Sequence, residues 1–553
     1  MVDTPIAAAE RPRRRSHGSA RLHGRRSDRT PAATSGTVRP PARSLAILPA
    51  IAALAICVIP LTWPHHWAGV FSYDEGAYVG SAIELARGLV PYKDFAFVQP
   101  PGISLLLAPV AGLFRLAGLG TEDVLSAARV MTAIATALGS GLAALALRHR
   151  GVVGMMVAGG ALAAFPLAYT AFSSTLLEPY LDLLCLAGVV LLFRGGHLAT
   201  GWRLALAGLA FGLAFGFKVW AVIPAGLGVL WVFRSGARDV ARYTGGVVAG
   251  VAAIYGPFLA LAPRAFIRDV FLAQVNRLDL VGFGFHRFVL VSGVKYLRLP
   301  AWWAVLLIAV WVALLAAAHL LAPTADRSGR SFEWYVAVVA VVILCILMLG
   351  HPYYAHYSDI LAPWAALSAG SLVARAVVGA SGRLALRGSA GDPARSRRSM
   401  TGLVMAVVLV AIVVVPTREL WSARKFDTAP QNAAILRLVS ATPATSCVVS
   451  DESEMLEAAN RLTTGGPLCP VVIDSDGERL VTLAELGRRR AAYVALAAQW
   501  QRWFGRARYV YLTRRFHLRI PWTRELSGWF HRHFVRVRLP ARDEILGWWF
   551  RRR

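Results

Sequence analysis

The stretch FSYDEGAYVG, residues 71–80, places two adjacent carboxylates, Asp74 and Glu75, directly after the first long apolar segment of the chain. An unpartnered charge near lipid costs several kcal/mol, so an acidic pair in that position implies a use. Further reactive groups follow at the ends of later apolar segments: Glu178 in STLLEPYLD, Lys218 in AFGFKVWAVIP, the cluster Gln274, Asn276 and Arg277, and His356 and Tyr357 in HPYYAHYSD. Carboxylates, a Lys, an Arg and a His gathered at one membrane surface suit a reaction in which an acceptor loses a proton while an anionic group departs. A carboxylate serves as general base on a hydroxyl, and Lys and Arg stabilise phosphate charge as a bond breaks. Lys93 in PYKDF and Gln99 in VQPPG are candidates for sugar or phosphate contacts.

The elements that must position these groups are membrane helices. Of the 553 residues, 56% are hydrophobic, and the mean hydropathy is +0.52, which points to a polytopic membrane protein. The net charge of +28 falls largely in short arginine runs between apolar segments, as cytosolic loops carry it. Residues 1–44 hold ten arginines and three acids and read as a disordered basic cytosolic tail. Residues 45–63 are apolar for long enough to cross a bilayer without a cleavage signal. Keeping basic clusters inside gives further crossings near 125–147, 152–172, 179–193, 203–217, 219–233, 243–262, 301–322, 334–350, 358–378 and 401–416, about 11 in all.

Two apolar pieces do not fit that alternation and read as surface helices: 102–120, interrupted by Pro109 and Arg115, and the amphipathic 263–278. The odd count exports the C-terminus and places all of the candidate groups on the outer face. The expected fold is therefore an all-α polytopic membrane domain over 45–416, followed by an extracytoplasmic α/β domain over 417–553. In the latter, short β-rich runs (CVVSD, PVVID, RYVYL, FVRVRL) alternate with helical stretches such as SEMLEAANRL. Cys57, Cys185 and Cys345 lie in apolar helices, whereas Cys447 and Cys469 in the exported region are either a disulfide or two thiols. No zinc pattern, P-loop or dinucleotide fingerprint has a credible context. Nucleic acid is set aside as a partner for the basic tail domain, because outside a membrane the anions at hand are lipid headgroups and wall polymers.

The run YDEGAYVGSAIELARGLVPYKDFAFVQPPG, residues 73–102, resembles the first extracytoplasmic loop of the GT-C glycosyltransferases, the superfamily of protein O-mannosyltransferases and lipid A aminoarabinose transferases. An acidic pair opens the loop, a short helix ends in LARGLVPY, and a QPPG turn leads into a surface helix. The resemblance extends more weakly over 45–380. It implies the GT-C fold and an inverting, polyprenyl-phosphate-sugar-dependent transferase in the cytoplasmic membrane, whose acceptor is a glycan, lipid or protein; mannose is the sugar suggested by the branch resembled. It also implies Asp74 as base, Glu75 as its partner, Glu178 as the second-loop acid and Lys218 as a contact to the lipid phosphate. His356 and Tyr357 stand where relatives often have Arg-Tyr. Asp74, Glu75 and Glu178 would be enough to hold Mg2+ or Mn2+ weakly, a point on which the superfamily is mixed.

Each group also has a plain structural reading: Asp74 as a helix N-cap, Glu178 as a helix opener, Lys218 as a snorkelling residue, Arg277 and Arg287 as lipid-phosphate contacts, and His356, His351 and the tyrosines as an interfacial belt. A transporter or flippase for a lipid-linked intermediate is the alternative function, and it would need a path through the membrane.

Overall fold

The computed structural model describes residues 41–165, 174–277, 282, 284–295, 299–320, 330–350, 352–386, 393–425, 429–487, 490–538 and 547–553. Residues 1–40, His351 and the last third (166–172) of the predicted segment 152–172 lie outside them.

A 3-10 turn (Arg43–Ala46) leads into α1 (Ile47–Leu61), and the loop after it carries α2 (Tyr73–Ala86) and α3 (Gly102–Leu116). Next come α4 (Thr121–Ala146), α5 (Gly151–Ala163) and α6 (Glu178–Leu192), then a hairpin of β1 (Phe193–Arg194) and β2 (His197–Leu198). The bundle continues with α7 (Trp202–Phe215), α8 (Val222–Val232) and α9 (Ala237–Leu261). It is completed by α10 (Pro263–Ile267), α11 (Phe285–Val291), α12 (Trp302–Leu320), α13 (Arg330–Leu349), α14 (Ala362–Leu386) and α15 (Pro393–Lys425). Each of the 11 predicted crossings contains a described helix, and six described stretches are long and apolar enough to cross a membrane by themselves. The chain is a membrane protein.

Lipid supplies no hydrophobic drive between helices, so close packing must hold them together. α7 and α9 meet through Gly208, Gly212, Gly246 and Gly250; a Cβ at 208 would lie 2.0 Å from the Tyr243 carbonyl oxygen. Pro109 lies inside α3 and does not interrupt it, and α3 packs on α2 and α4. The predicted surface helix 263–278 is instead three short pieces: α10, a π turn (Arg268–Leu272) and a 3-10 turn (Ala273–Asn276).

After α16 (Ala429–Ser440) the chain forms β3 (Val448–Ser450), α17 (Ser453–Ala458), α18 (Ser475–Leu486), α19 (Arg490–Arg506) and β4 (Tyr509–Thr513). It ends with α20 (Phe516–Arg519), α21 (Arg524–His533), β5 (Phe534–Val537) and β6 (Gly547–Arg552). The sheet order is β3-β4-β6-β5, with β3 parallel to β4 and the other pairs antiparallel. PVVID forms no strand, and GWWFRR forms one that the alternation of residues did not announce. Trp500, Phe504, Phe530 and Phe550 fill the core on one side of this sheet. On the other side Tyr511 and Trp549 share a core with Tyr78 and Ile83 of α2 and with Met455 and Leu456 of α17. Residues 40–553 thus form one compact unit.

Cys447 and Cys469 form a disulfide with a Cα–Cα distance of 5.3 Å, closing a loop with a sequence separation of 22. Replacing both by Ser is expected to lower the stability of the α/β region by about 3 kcal/mol through loop entropy. Hydrogen exchange in β3 and β4 of the full chain reads this directly, and unchanged exchange would contradict it.

Candidate active site

A cavity of about 350 Å3 opens where the first loop meets the α/β region, a size within the range of small-molecule sites. One wall comes from Tyr73, Asp74 and Tyr78 of α2, Gln99 of the QPPG turn, Arg277, Tyr354 and His356. The facing wall is Asp474, Asp476 and Arg479 at the start of α18, with Arg515 and Arg519 around α20.

Asp74 is the second residue of α2 and lines the cavity. The N-cap is Ser72, so the capping reading of Asp74 does not hold; a carboxylate in the first turn is favoured by the helix dipole all the same. Glu75 does not line the cavity. Successive helical side chains diverge by about 100°, and this divergence carries the Glu75 carboxylate into full burial. There Arg129 grips it twice, Nε to Oε1 at 3.0 Å and Nη2 to Oε2 at 2.7 Å, and the Thr175 backbone N–H donates at 2.7 Å. The same guanidinium donates to the carbonyls of His66 (2.9 Å) and Gly69 (2.7 Å), stacks on Phe71 and pairs with Glu454 of α17 at 3.2 Å.

Glu454 accepts the backbone N–H groups of Phe71 and Ser72 at 2.7 and 2.8 Å, satisfying donors at the entry to α2 that no side chain of its own loop caps. Gly76 is what lets α17 come this close, because a Cβ there would sit 2.4 Å from the Glu454 nitrogen. One turn on, Thr121 donates its hydroxyl to the Glu457 carbonyl at 2.6 Å and its N–H to Asn460 at 3.1 Å. The stretch SDESEMLEAANRL therefore clamps the loop that carries Asp74.

On the facing wall, the Tyr73 hydroxyl donates to Asp474 (2.7 Å) and accepts from the Asp476 N–H (2.6 Å), while the Arg519 guanidinium lies 3.8 Å over its ring. Asp474 caps α18 through Gly477 at 2.7 Å, and burial, with Asp476 beside it, raises its carboxyl. Arg479 pairs with Asp476 at 2.7 Å and Arg519 with Asp451 at 3.0 Å. Arg515 is exposed on the same rim.

Arg277 is buried, and its Nε has no hydrogen-bond partner among the described residues. Burial alone would lower its pKa, but Tyr357, Tyr354, Asp476 and Asp74 outweigh that and raise it, so the guanidinium stays charged. Gln274 lies outside the lining, where its amide bonds the Val98 carbonyl and ties the turn before Arg277 to QPPG. Glu178 and Lys218 form a buried ion pair one layer deeper; Lys218 sits 4.2 Å over the Tyr357 ring, and His356 Nε2 lies 3.7 Å from Glu178. Of the predicted residues, Asp74, Gln99, Arg277 and His356 thus meet in the cavity, whereas Glu75, Glu178, Lys218, Gln274 and Tyr357 surround it. Lys93 is exposed on a turn and does not line it. Arg287 caps the end of α13, donating to the Gly350 carbonyl at 2.7 Å.

The carboxylates that would have bound Mg2+ or Mn2+ do not fit one. Glu75 is committed to Arg129 and Glu178 to Lys218, and no group of three or more acids, His or Cys suited to a metal occurs among the described residues.

The wall supplied by 474–519 was not among the expected site residues. Its signal in the sequence was DSDGER together with the basic, aromatic run TRRFHLR.

No protein-family model matches this sequence, and no curated protein matches it. Solved structures do. ArnT from Cupriavidus metallidurans bound to undecaprenyl phosphate aligns with a TM-score of 0.60 at 15% identity, over 92% of this chain and 98% of that one. Its apo form gives 0.58 at 16% identity, over 92% and 97%. The oligosaccharyltransferase of Archaeoglobus fulgidus, in a complex with Zn and sulfate, gives 0.47 at 13% identity, over 91% and 72%. The likeness to ArnT establishes the fold, which is the GT-C fold.

Arg129→Gln would leave the buried carboxylates of Glu75 and Glu454 without their shared cation, a loss of about 3–5 kcal/mol. The expected outcome is poor yield of folded chain, and a variant with an unchanged melting temperature would remove Arg129 from this role. Burial also raises the Glu452 carboxyl from 4.5 to about 7, against the pull of Arg519. The folded chain then binds that proton more tightly than the unfolded one, so stability falls as pH climbs from 4.5 to 7. Glu452→Gln should raise the melting temperature at pH 8 and leave it unchanged at pH 4; an equal shift at both would point to a different cause.

Proposed function

We propose that this chain is an inverting membrane glycosyltransferase that moves a sugar from a polyprenyl-phosphate carrier to an acceptor hydroxyl, with Asp74 as base. The observation that carries this reading is a carboxylate at the start of α2 and a buried, charged guanidinium at Arg277 lining one cavity. The fold shared with ArnT, which was solved with undecaprenyl phosphate, supports the donor class.

The chemistry follows from those two groups. Asp74 accepts the proton of the acceptor hydroxyl as its oxygen attacks the anomeric carbon. The bond from that carbon to the phosphate oxygen breaks, and the electron pair leaves with the polyprenyl phosphate. Arg277 stabilises the charge that grows on this oxygen; a guanidinium in a partly dehydrated site does so better than one in water. His356, Gln99 and Tyr354 line the same wall and are placed to contact sugar or phosphate. Glu178 lies 3.7 Å from His356 Nε2, with Lys218 paired to Glu178 behind it. Mannose is the sugar proposed, on the resemblance of the first loop alone. The acceptor enters from the side of the α/β domain, which on the sequence topology faces away from the cytosol.

The test uses the purified full chain in liposomes with polyprenyl-phosphate mannose and a mixed acceptor extract. Asp74→Asn is expected to slow transfer about 10^2- to 10^4-fold with unchanged folding, and Arg277→Ala about 10^2- to 10^3-fold. Full transfer by Asp74→Asn would reject the assigned base. Movement of the lipid-linked sugar across the bilayer without transfer would favour the flippase.

A further inference from the structure

A second set of cavities lies at the other end of the bundle. α4 begins beside the α/β region, where Thr121 bonds Glu457, and ends at Ala146, which lines a cavity of about 450 Å3. The 26 residues of α4 put that cavity about 39 Å from the end where Asp74 sits. Its mouth carries Arg43, Arg148, His149, Arg194 and Arg203 over an apolar floor that includes Val189 and Phe332. An adjoining cavity of about 520 Å3 shares Arg194 and Arg203 and adds Trp202. Neither lining contains an Asp or Glu.

The charge here is built into the fold. Arg194 stands on the β1–β2 hairpin, where it pairs with His197 across a two-residue turn. Both turn residues, Gly195 and Gly196, have positive φ (61° and 86°), a geometry that glycine alone adopts without strain and that fixes where the arginine emerges. The Arg203 guanidinium is anchored at one corner, where Nη2 donates to the Val190 carbonyl at 2.8 Å. Its Nε, closed off from solvent, has no hydrogen-bond partner among the described residues. The nearby carboxylate of Glu333 is already taken by Arg150, Nε to Oε1 at 2.7 Å. Arg194 and Arg203 therefore face an electropositive hollow with no acid in its lining to neutralise them.

We propose that this hollow binds the phosphate headgroup of an anionic phospholipid, with Arg194 and Arg203 as its phosphate ligands. Three features match that chemistry. Guanidinium groups bind phosphate oxygens with directed, charge-assisted bonds. The apolar floor accepts the glycerol and the first methylenes of an acyl chain. Trp202 is 68% exposed at the rim, and an exposed indole at the end of a membrane helix marks the headgroup level, where a lipid rather than a soluble anion is the concentrated source of phosphate. The site is independent of the sugar-transfer reading, since it shares no residue with the cavity around Asp74.

The test is native mass spectrometry of the delipidated full chain in detergent, titrated with phosphatidylglycerol, with phosphatidylcholine or with inorganic phosphate. Phosphatidylglycerol is expected to bind at least tenfold more tightly than phosphatidylcholine, and inorganic phosphate at millimolar concentration not to displace it. Replacing both Arg194 and Arg203 by Ala should weaken phosphatidylglycerol about 30-fold. Arg194→Gln, on an exposed hairpin residue, should weaken it about fivefold if the double variant does not fold. Equal binding of the two lipids, unchanged binding in Arg194→Gln, or displacement by inorganic phosphate would each overturn the proposal.

Discussion

The geometry around Asp74 depends on one buried cation. Arg129 is 1% exposed, and each of its partners Glu75 and Glu454 is 0% exposed. Burial with Glu75 beside it raises the Glu454 carboxyl, and taking a guanidinium and two acids out of water is unfavourable unless their polar atoms find hydrogen-bond partners. Here they do: the guanidinium reaches two carboxylates and the carbonyls of His66 and Gly69, and the two acids also accept N–H groups from Thr175, Phe71 and Ser72. The network draws α2, α4 and α17 to one point, and these come from widely separated parts of the chain. The start of α2, and with it the direction of Asp74, is fixed by a helix from the C-terminal region.

That constraint explains why the α/β region is more than an appended domain. Its sheet rests Tyr511 and Trp549 on the same core as Tyr78, and its α18 and α20 supply the second wall of the cavity. Tyr73 is the hinge between the two walls, bonded to Asp474 and covered by Arg519. Pairing Arg479 with Asp476 and Arg519 with Asp451 cancels much of the charge on that wall. On the opposite wall the cavity is lined by the Asp74 carboxylate and the Arg277 guanidinium.

Within the bundle, polarity is arranged by depth. The Glu178–Lys218 pair is buried behind His356 and under Tyr357, while at the opposite end of the same helices the cavities beside the β1–β2 hairpin are lined by arginines and by no Asp or Glu, the nearby Glu333 being paired with Arg150. One end thus brings charges of both signs to a cavity, and the other lines its cavities with a single sign. The 11 apolar segments carry this difference between the ends because short turns such as 148–150 and 195–196 keep neighbouring helices antiparallel.

Local composition was enough to reveal the membrane helices, the α/β region and the family-like first loop, because hydrophobic length and β-rich runs are properties of contiguous residues. It also singled out Asp74, Arg277, Gln99 and His356, which line one cavity, by residue types set beside apolar segments. The pairing of Cys447 with Cys469 stayed open, since two thiols separated by 22 residues meet only if the fold brings them together. Adjacent acids likewise look equivalent on paper: the turn of α2 sends Asp74 to the cavity and Glu75 to Arg129. The role of SDESEMLEAANRL, the second wall at 474–519 and the commitment of Glu178 to Lys218 are long-range contacts, with partners up to several hundred residues away. No periodicity or motif encodes such distances. They were decided by tertiary structure, because a buried charge must find its counter-charge wherever the folded chain delivers it.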